Sequence, residues 1–188
     1  MSNEVSGKKA FSTRDMVYIA VCAALMAICS WISIPATVPF TLQTFAVFLA
    51  IIILGGKNGT ISVLIYVLLG AIGVPVFQGF AGGFGVILGT TGGYIVGFIF
   101  SALVMWLVEK LMGHKVVPMI IASVLGLIVC YAFGTAWFMV VYTKNSGAIT
   151  LATTLGWCVI PFIIPDLLKI AVAIGVGFRL RKVLINMQ

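Results

Sequence analysis

Charge is what this sequence has least of. Only four of its 188 residues are acidic, and Asp, Glu, Lys and Arg together make up 8% of the chain. Soluble domains carry about 25% charged residues. So few cannot cover a water-soluble globule, which excludes an ordinary cytosolic enzyme and a disordered chain. Histidine occurs once, at His114, in a polar turn where solvation is the expected state. The four cysteines, Cys22, Cys29, Cys130 and Cys158, form no C-x-x-C and lie in apolar runs, so they read as small hydrophobes rather than a disulfide or metal set. Neither G-x-x-x-x-G-K-[ST] nor G-x-G-x-x-G occurs, so no phosphate-binding loop is present. Period-two alternation of apolar and polar residues, the mark of a membrane β-barrel, is also missing.

What is present is apolar residue, 62% of the chain, with a mean hydropathy of +1.26. Long uninterrupted runs predict membrane helices, each needing about 20 residues at about 1.5 Å apiece. The spacing of polar and Pro/Gly punctuation predicts six, at about 15–33, 41–55, 60–73, 91–112, 116–142 and 161–184, in a single membrane domain covering 1–188. Pro35 and Pro39 stop the first. Gly56-Lys57-Asn58-Gly59 reads as a tight turn between the second and third, both short for a full crossing. Residues 148–158 read as a short extra helix, and Pro161 and Pro165 as an irregular start to the sixth span. The basic residues before the first run resemble a signal peptide, but the run is too long and lacks a convincing cleavage site, so it reads as a membrane helix.

The net charge of +7 does not indicate nucleic acid, because the basic residues cluster between apolar runs. Lys8, Lys9, Arg14, Lys57, Lys110, Lys115, Arg179, Arg181 and Lys182 fall at the termini and the turns after spans two and four; the opposite loops hold only Lys144. Cytoplasmic loops carry the excess of Lys and Arg, so both termini are expected in the cytoplasm. The expected fold is an all-α membrane protein of six transmembrane helices.

Asp166 and Lys169 are the charges this reading places inside the membrane. An ionisable group there is costly and normally serves a site. At i and i+3 the two share one helix face. A self-satisfied ion pair holding the helix is one reading; a polar ligand pocket is the other, and two opposite charges suit a ligand with N–H donors and an acceptor. The run Gln78-Gly79-Phe80-Ala81-Gly82-Gly83-Phe84-Gly85 reads either as a plain outer loop or as a ligand-covering lid with Phe80 over the pocket and Gly82 and Gly83 as hinges. Gln43, Tyr94, Tyr131 and Trp137 are candidate lining residues, against ordinary packing for the aromatics. A single intramembrane carboxylate is too little for paired-carboxylate catalysis, so no catalytic residue, metal or cofactor is expected. Small residues four apart, Ala20 with Ala24 and Ala23 with Ala27 on the first span and Gly89, Gly93 and Gly97 into the fourth, permit close helix packing, internally or against a partner.

Four segments then carry a resemblance: Val38-Pro39-Phe40-Thr41-Leu42-Gln43-Thr44; Leu69 to Phe77 with the glycine loop; Gly89-Thr90-Thr91-Gly92-Gly93-Tyr94; and Pro161 to Lys169. In this order they resemble the biotin-specific substrate-binding subunit, the S component or BioY family, of energy-coupling-factor transporters. The resemblance covers about 14–184 and departs from the family pattern at Thr90, where proline is expected, and Pro165, where glycine is expected. It implies a six-helix fold in a bacterial cytoplasmic membrane that captures biotin from outside. It implies partners too: a transmembrane coupling subunit docking on Ala20 and Ala24 or, one register over, Ala23 and Ala27, and two ATPases supplying the energy. Biotin's ureido N–H groups, carbonyl, apolar thioether ring and carboxylate suit an Asp166–Lys169 pocket. An S component for another vitamin and a stand-alone proton-coupled carrier using Asp166 remain as alternatives.

Overall fold

The computed structural model describes residues 12–186, so Lys8 and Lys9 lie outside the described residues. The chain is helical almost throughout: α1 Thr13–Trp31, α2 Gln43–Leu54, α3 Gly56–Ala71, α4 Phe84–Leu88, α5 Gly92–Met112, α6 Val116–Ser146, α7 Leu151–Cys158 and α8 Ile160–Asn186. Ser12 and Asp15 close a capping box at the start of α1. After α1 the proline-bearing segment makes a small antiparallel hairpin, β1 Ser33–Ile34 with β2 Phe40–Thr41, in the register Ser33 opposite Thr41 and Ile34 opposite Phe40.

Among the described residues four stretches are long and apolar enough to cross a membrane: Thr13–Trp31, Gly92–Met112, Val116–Ser146 and Leu151–Leu184, the last joining α7 to α8. The others are short. At 1.5 Å per residue, α2 spans about 18 Å and α3 about 24 Å, against a hydrocarbon core of about 30 Å. α2 is apolar on every side because it is enclosed: Gln43 and every residue from Ala46 to Ile52 are buried, among α1, α3, α5 and α8.

The turn expected at Gly56-Lys57-Asn58-Gly59 is instead the first turn of α3, and Gly55 alone, at φ +81°, reverses the chain. The other glycines serve close approach. A Cβ on Gly56 would overlap Trp106, and one on Gly59 would overlap Ile51 of α2. The α5–α6 interface uses the same device: Gly93 lies against the Trp137 ring, Gly97 against Cys130, and Gly134 against the Tyr94 ring. Gly93 and Gly97 are therefore internal packing positions. α6 runs four residues past its expected end at Tyr142, to Ser146.

α8 begins within one residue of its expected start and runs on through Pro165. It starts at Ile160, with Pro161 in its first turn, where no N–H partner is needed. Pro165 sits inside the helix, so the carbonyl of Pro161 loses its usual donor one turn below Asp166.

One end of the bundle is cross-linked by polar groups. Glu109 of α5 accepts the backbone N–H of Gly56 at the start of α3 and pairs with His114 Nδ1 at 2.8 Å, while Arg181 of α8 donates to the carbonyl of Ile53 at 2.8 Å. His114 is thus not solvated: its side chain is 13% exposed. Ser12, Asp15, Lys57, Lys110 and Arg181 line a cleft at this same end.

Candidate ligand pocket

The opposite end, toward the hairpin and the glycine segment, holds a partly open cavity of about 90 Å³. α2 supplies Gln43 and Thr44, the hairpin Thr41, α5 Tyr94, Ile95 and Phe98, α6 Leu127, Cys130 and Tyr131, and α8 Phe162, Asp166 and Lys169. On the scale where one water needs about 10–15 Å³ of such volume, the cavity holds on the order of six waters. That suits the ring system of a small ligand better than an extended molecule.

Its polar centre is Asp166, 3% exposed. Oδ1 accepts from Lys169 Nζ at 2.8 Å and Oδ2 from the Tyr131 hydroxyl at 2.6 Å. Lys169 Nζ also donates to the backbone carbonyl of Thr41 at 2.7 Å. A carboxylate has about four lone-pair directions and an ammonium three N–H bonds, so each retains capacity for a ligand after these contacts. The two readings of the pair therefore coincide: it satisfies itself, and it lines a cavity. Tyr94 reaches Thr135 Oγ1 at 3.3 Å and the carbonyl of Cys158 at 3.5 Å.

Of the residues singled out from sequence, Gln43, Tyr94, Tyr131, Asp166 and Lys169 come together on this cavity. Trp137 does not line it; its Nε1 donates to the carbonyl of Gly89 at 3.0 Å and pins the entry to α5. Phe80, Gly82 and Gly83 do not line it either. Phe80 is 64% exposed and stacks on Trp31, ring centroids 4.7 Å apart, while Gly83 N–H donates to the carbonyl of Gly70 at 2.6 Å. A Cβ on Gly82 would overlap the carbonyl of Val74. The glycine segment is thus laid down on the end of α3, with Gln78 rather than Phe80 reaching the cavity. Gln78, Thr41, Thr44 and Thr91 also line the cavity; they stand in the segments singled out from sequence but were not named there as lining residues. Cys130 and Cys158 form part of the apolar wall.

On α1 the structure separates the two registers. Ala23 and Ala27 are buried, at 4% and 6% exposure, and pack into the core, so they cannot meet a partner; Ala20 and Ala24 are exposed. Among the described residues no group of three His, Cys, Asp or Glu side chains is placed to hold a metal. A single buried carboxylate paired with a lysine offers binding and proton donors but no nucleophile and base in register.

A mostly apolar helical bundle with a pocket whose polar groups gather around a buried ion pair defines a membrane protein that binds a small ligand. Comparison with known proteins makes the class specific. A model of the BioY family matches residues 2–186, and the chain belongs to that family. It is 39% identical over 170 residues to the biotin transporter BioY of Thermotoga maritima, covering 90% of this chain and 96% of that protein. With a probable biotin transporter BioY of Pyrococcus horikoshii it shares 38% identity over 169 residues, covering 89% and 96%. It superimposes, with a TM-score of 0.81 and 29% identity over 92% of this chain and 95% of the other, on a crystal structure of the S-component for biotin from an ECF-type ABC transporter.

Proposed function

We propose that this chain captures biotin and serves its uptake as the substrate-binding subunit of an ATP-driven energy-coupling-factor transporter. It is a transporter subunit, not an enzyme. The observation that carries the reading is the Asp166–Lys169–Tyr131 cluster facing a cavity of ring-system size in a chain of the BioY family. Asp166, an acceptor when ionised, takes a ureido N–H; Lys169 donates beside it, to the ureido carbonyl or to the carboxylate of the valerate tail. The apolar wall of Phe98, Leu127 and Phe162 suits the thioether ring. Calorimetric titration of the purified protein with a panel of vitamins tests this: biotin alone should bind tightly, and preference for another vitamin would make the chain an S component of different specificity.

Several finer assignments rest on the same reading. Six helices cross the cytoplasmic membrane of a bacterial cell with both termini inside, supported by the gathering of Lys57, Lys110 and Arg181 at the end away from the cavity. A transmembrane coupling subunit docks on the exposed Ala20 and Ala24 of α1, and two ATPase subunits supply the energy. Uptake in membranes lacking these partners, driven by the proton gradient, would instead favour a stand-alone carrier.

The glycine segment acts as an outer lid, with Phe80 leaving Trp31 to cover bound biotin. Gly83 holds φ +96° and Gly82 packs on Val74, so alanine at both sites disfavours the backbone of the segment as it lies on α3 with the pocket uncovered, at about 1–3 kcal/mol for the strained position. Stopped-flow Trp fluorescence should show biotin association slowed several-fold in Gly82→Ala/Gly83→Ala. Unchanged association and dissociation rates would make the segment a passive connector.

A further inference from the structure

Gln43 opens α2 at the cavity wall, 6% exposed, and its amide has two ends of opposite chemistry. Which end faces a ligand is decided one residue further back. Nε2 donates to the hydroxyl of Tyr66, 2.8 Å away. Tyr66 belongs to α3, is fully buried and does not line the cavity. Its hydroxyl donates to the backbone carbonyl of Val76 at 3.1 Å, beside the Ser30 hydroxyl, whose single proton lies between that carbonyl at 2.6 Å and the Ala27 carbonyl at 2.7 Å.

A carbonyl only accepts, so the Tyr66 proton is committed to Val76 and the Tyr66 oxygen is left as an acceptor. An acceptor at that point selects the NH₂ end of the Gln43 amide. The carbonyl end, Oε1, is then turned to the cavity. The ring of Tyr66 is itself fixed by the Phe77 ring, which meets it edge-on with centroids 5.6 Å apart.

We propose that Tyr66 is a positioning residue for ligand recognition: it locks the Gln43 amide so that the cavity presents a second acceptor, besides Asp166, for a ligand bearing two N–H donors. This rests on the reading of the pocket as a biotin site, where the two acceptors take the two ureido N–H groups. A site with one acceptor and one amide NH₂ would instead suit a ligand with one donor and one acceptor. The polarity of the wall, and with it the discrimination between ligands, is therefore set by a tyrosine that never touches the ligand.

The test is a calorimetric cycle on the purified full-length protein with two ligands, biotin and a biotin methylated on both ureido nitrogens. Tyr66→Phe keeps the ring and leaves the Ser30 hydroxyl within reach of the Val76 carbonyl, so folding, followed by thermal unfolding, should persist. It frees the amide to turn. Biotin should bind about tenfold more weakly, while the weakened binding of the methylated ligand should not change. Gln43→Ala should lose at least as much, and adding Tyr66→Phe to it should lose no more. An unchanged biotin affinity in Tyr66→Phe, or losses that simply add in the double variant, would overturn the proposal. Should Tyr66→Phe not fold, Gln43→Met tests the same wall. It keeps the length of the side chain and removes both ends of the amide, so biotin should bind at least tenfold more weakly while the methylated ligand binds as it does to the parent; parent-like binding of biotin would overturn the proposal. Failure of the parent itself to bind biotin would refute the functional reading instead.

Discussion

Asp166→Asn should lower biotin affinity by two to three orders of magnitude while the protein remains folded. Both side chains that meet Asp166 donate to it: Lys169 Nζ to one oxygen and the Tyr131 hydroxyl to the other. Asparagine has one oxygen and one NH₂ group, so one of these donors would face another donor. The lysine charge would also stay buried without a counter-ion, held by neutral acceptors such as the Thr41 carbonyl. Breaking a buried pair by removing one partner costs about 3–5 kcal/mol, and each 1.4 kcal/mol is about tenfold in affinity. A companion variant separates recognition from support. Asp166→Leu with Lys169→Met removes both charges at similar volume, a change that is often neutral or stabilising. The double variant should unfold at a temperature no lower than the parent and bind no biotin. Parent-like titration curves from either variant would place recognition elsewhere in the cavity.

The second large effect concerns the outer face of α1. Ala20 and Ala24 lie one turn apart and exposed, whereas Ala23 and Ala27 on the adjoining face pack into the core. Lipid tails give two helices no hydrophobic reason to meet, so association depends on close contact between small side chains. A tryptophan in that stripe holds the helices apart and forfeits many contacts at once. Ala20→Trp and Ala24→Trp should therefore leave biotin binding by the isolated protein intact but abolish co-purification with the coupling subunit and ATP-driven uptake. Ala23→Trp and Ala27→Trp should do the reverse and cost folded protein, because the core around Met26 has no room for an indole. An intact complex from both outward variants would move the docking surface off this face.

Most helix positions were legible because apolar runs and Pro/Gly punctuation are local signals. The expected and observed starts of α5 and α6 differ by at most one residue. The α2–α3 corner was misread because glycine serves both turns and close packing, and only the position of Trp106 and Ile51 shows which is at work. Asp166 and Lys169 stood out because a charge in an apolar run is expensive wherever the run folds. Tyr66 did not: a tyrosine amid apolar residues looks like packing until Gln43, 23 positions away, is seen to meet its hydroxyl. The choice between the two alanine registers on α1 needed the neighbouring helices, since spacing alone places both pairs equally well.

The contact from Lys169 to the Thr41 carbonyl joins the pocket to the strand that follows α1 through the hairpin. A ligand that competes for that ammonium loosens the bond, and the hairpin it holds is continuous with the proposed docking helix. Thermodynamic linkage is reciprocal: whatever factor biotin applies to the affinity of a partner through this bond, the partner must apply to biotin. Were docking on α1 to weaken this one bond, the hold on the ligand would weaken with it, without any partner residue reaching the pocket.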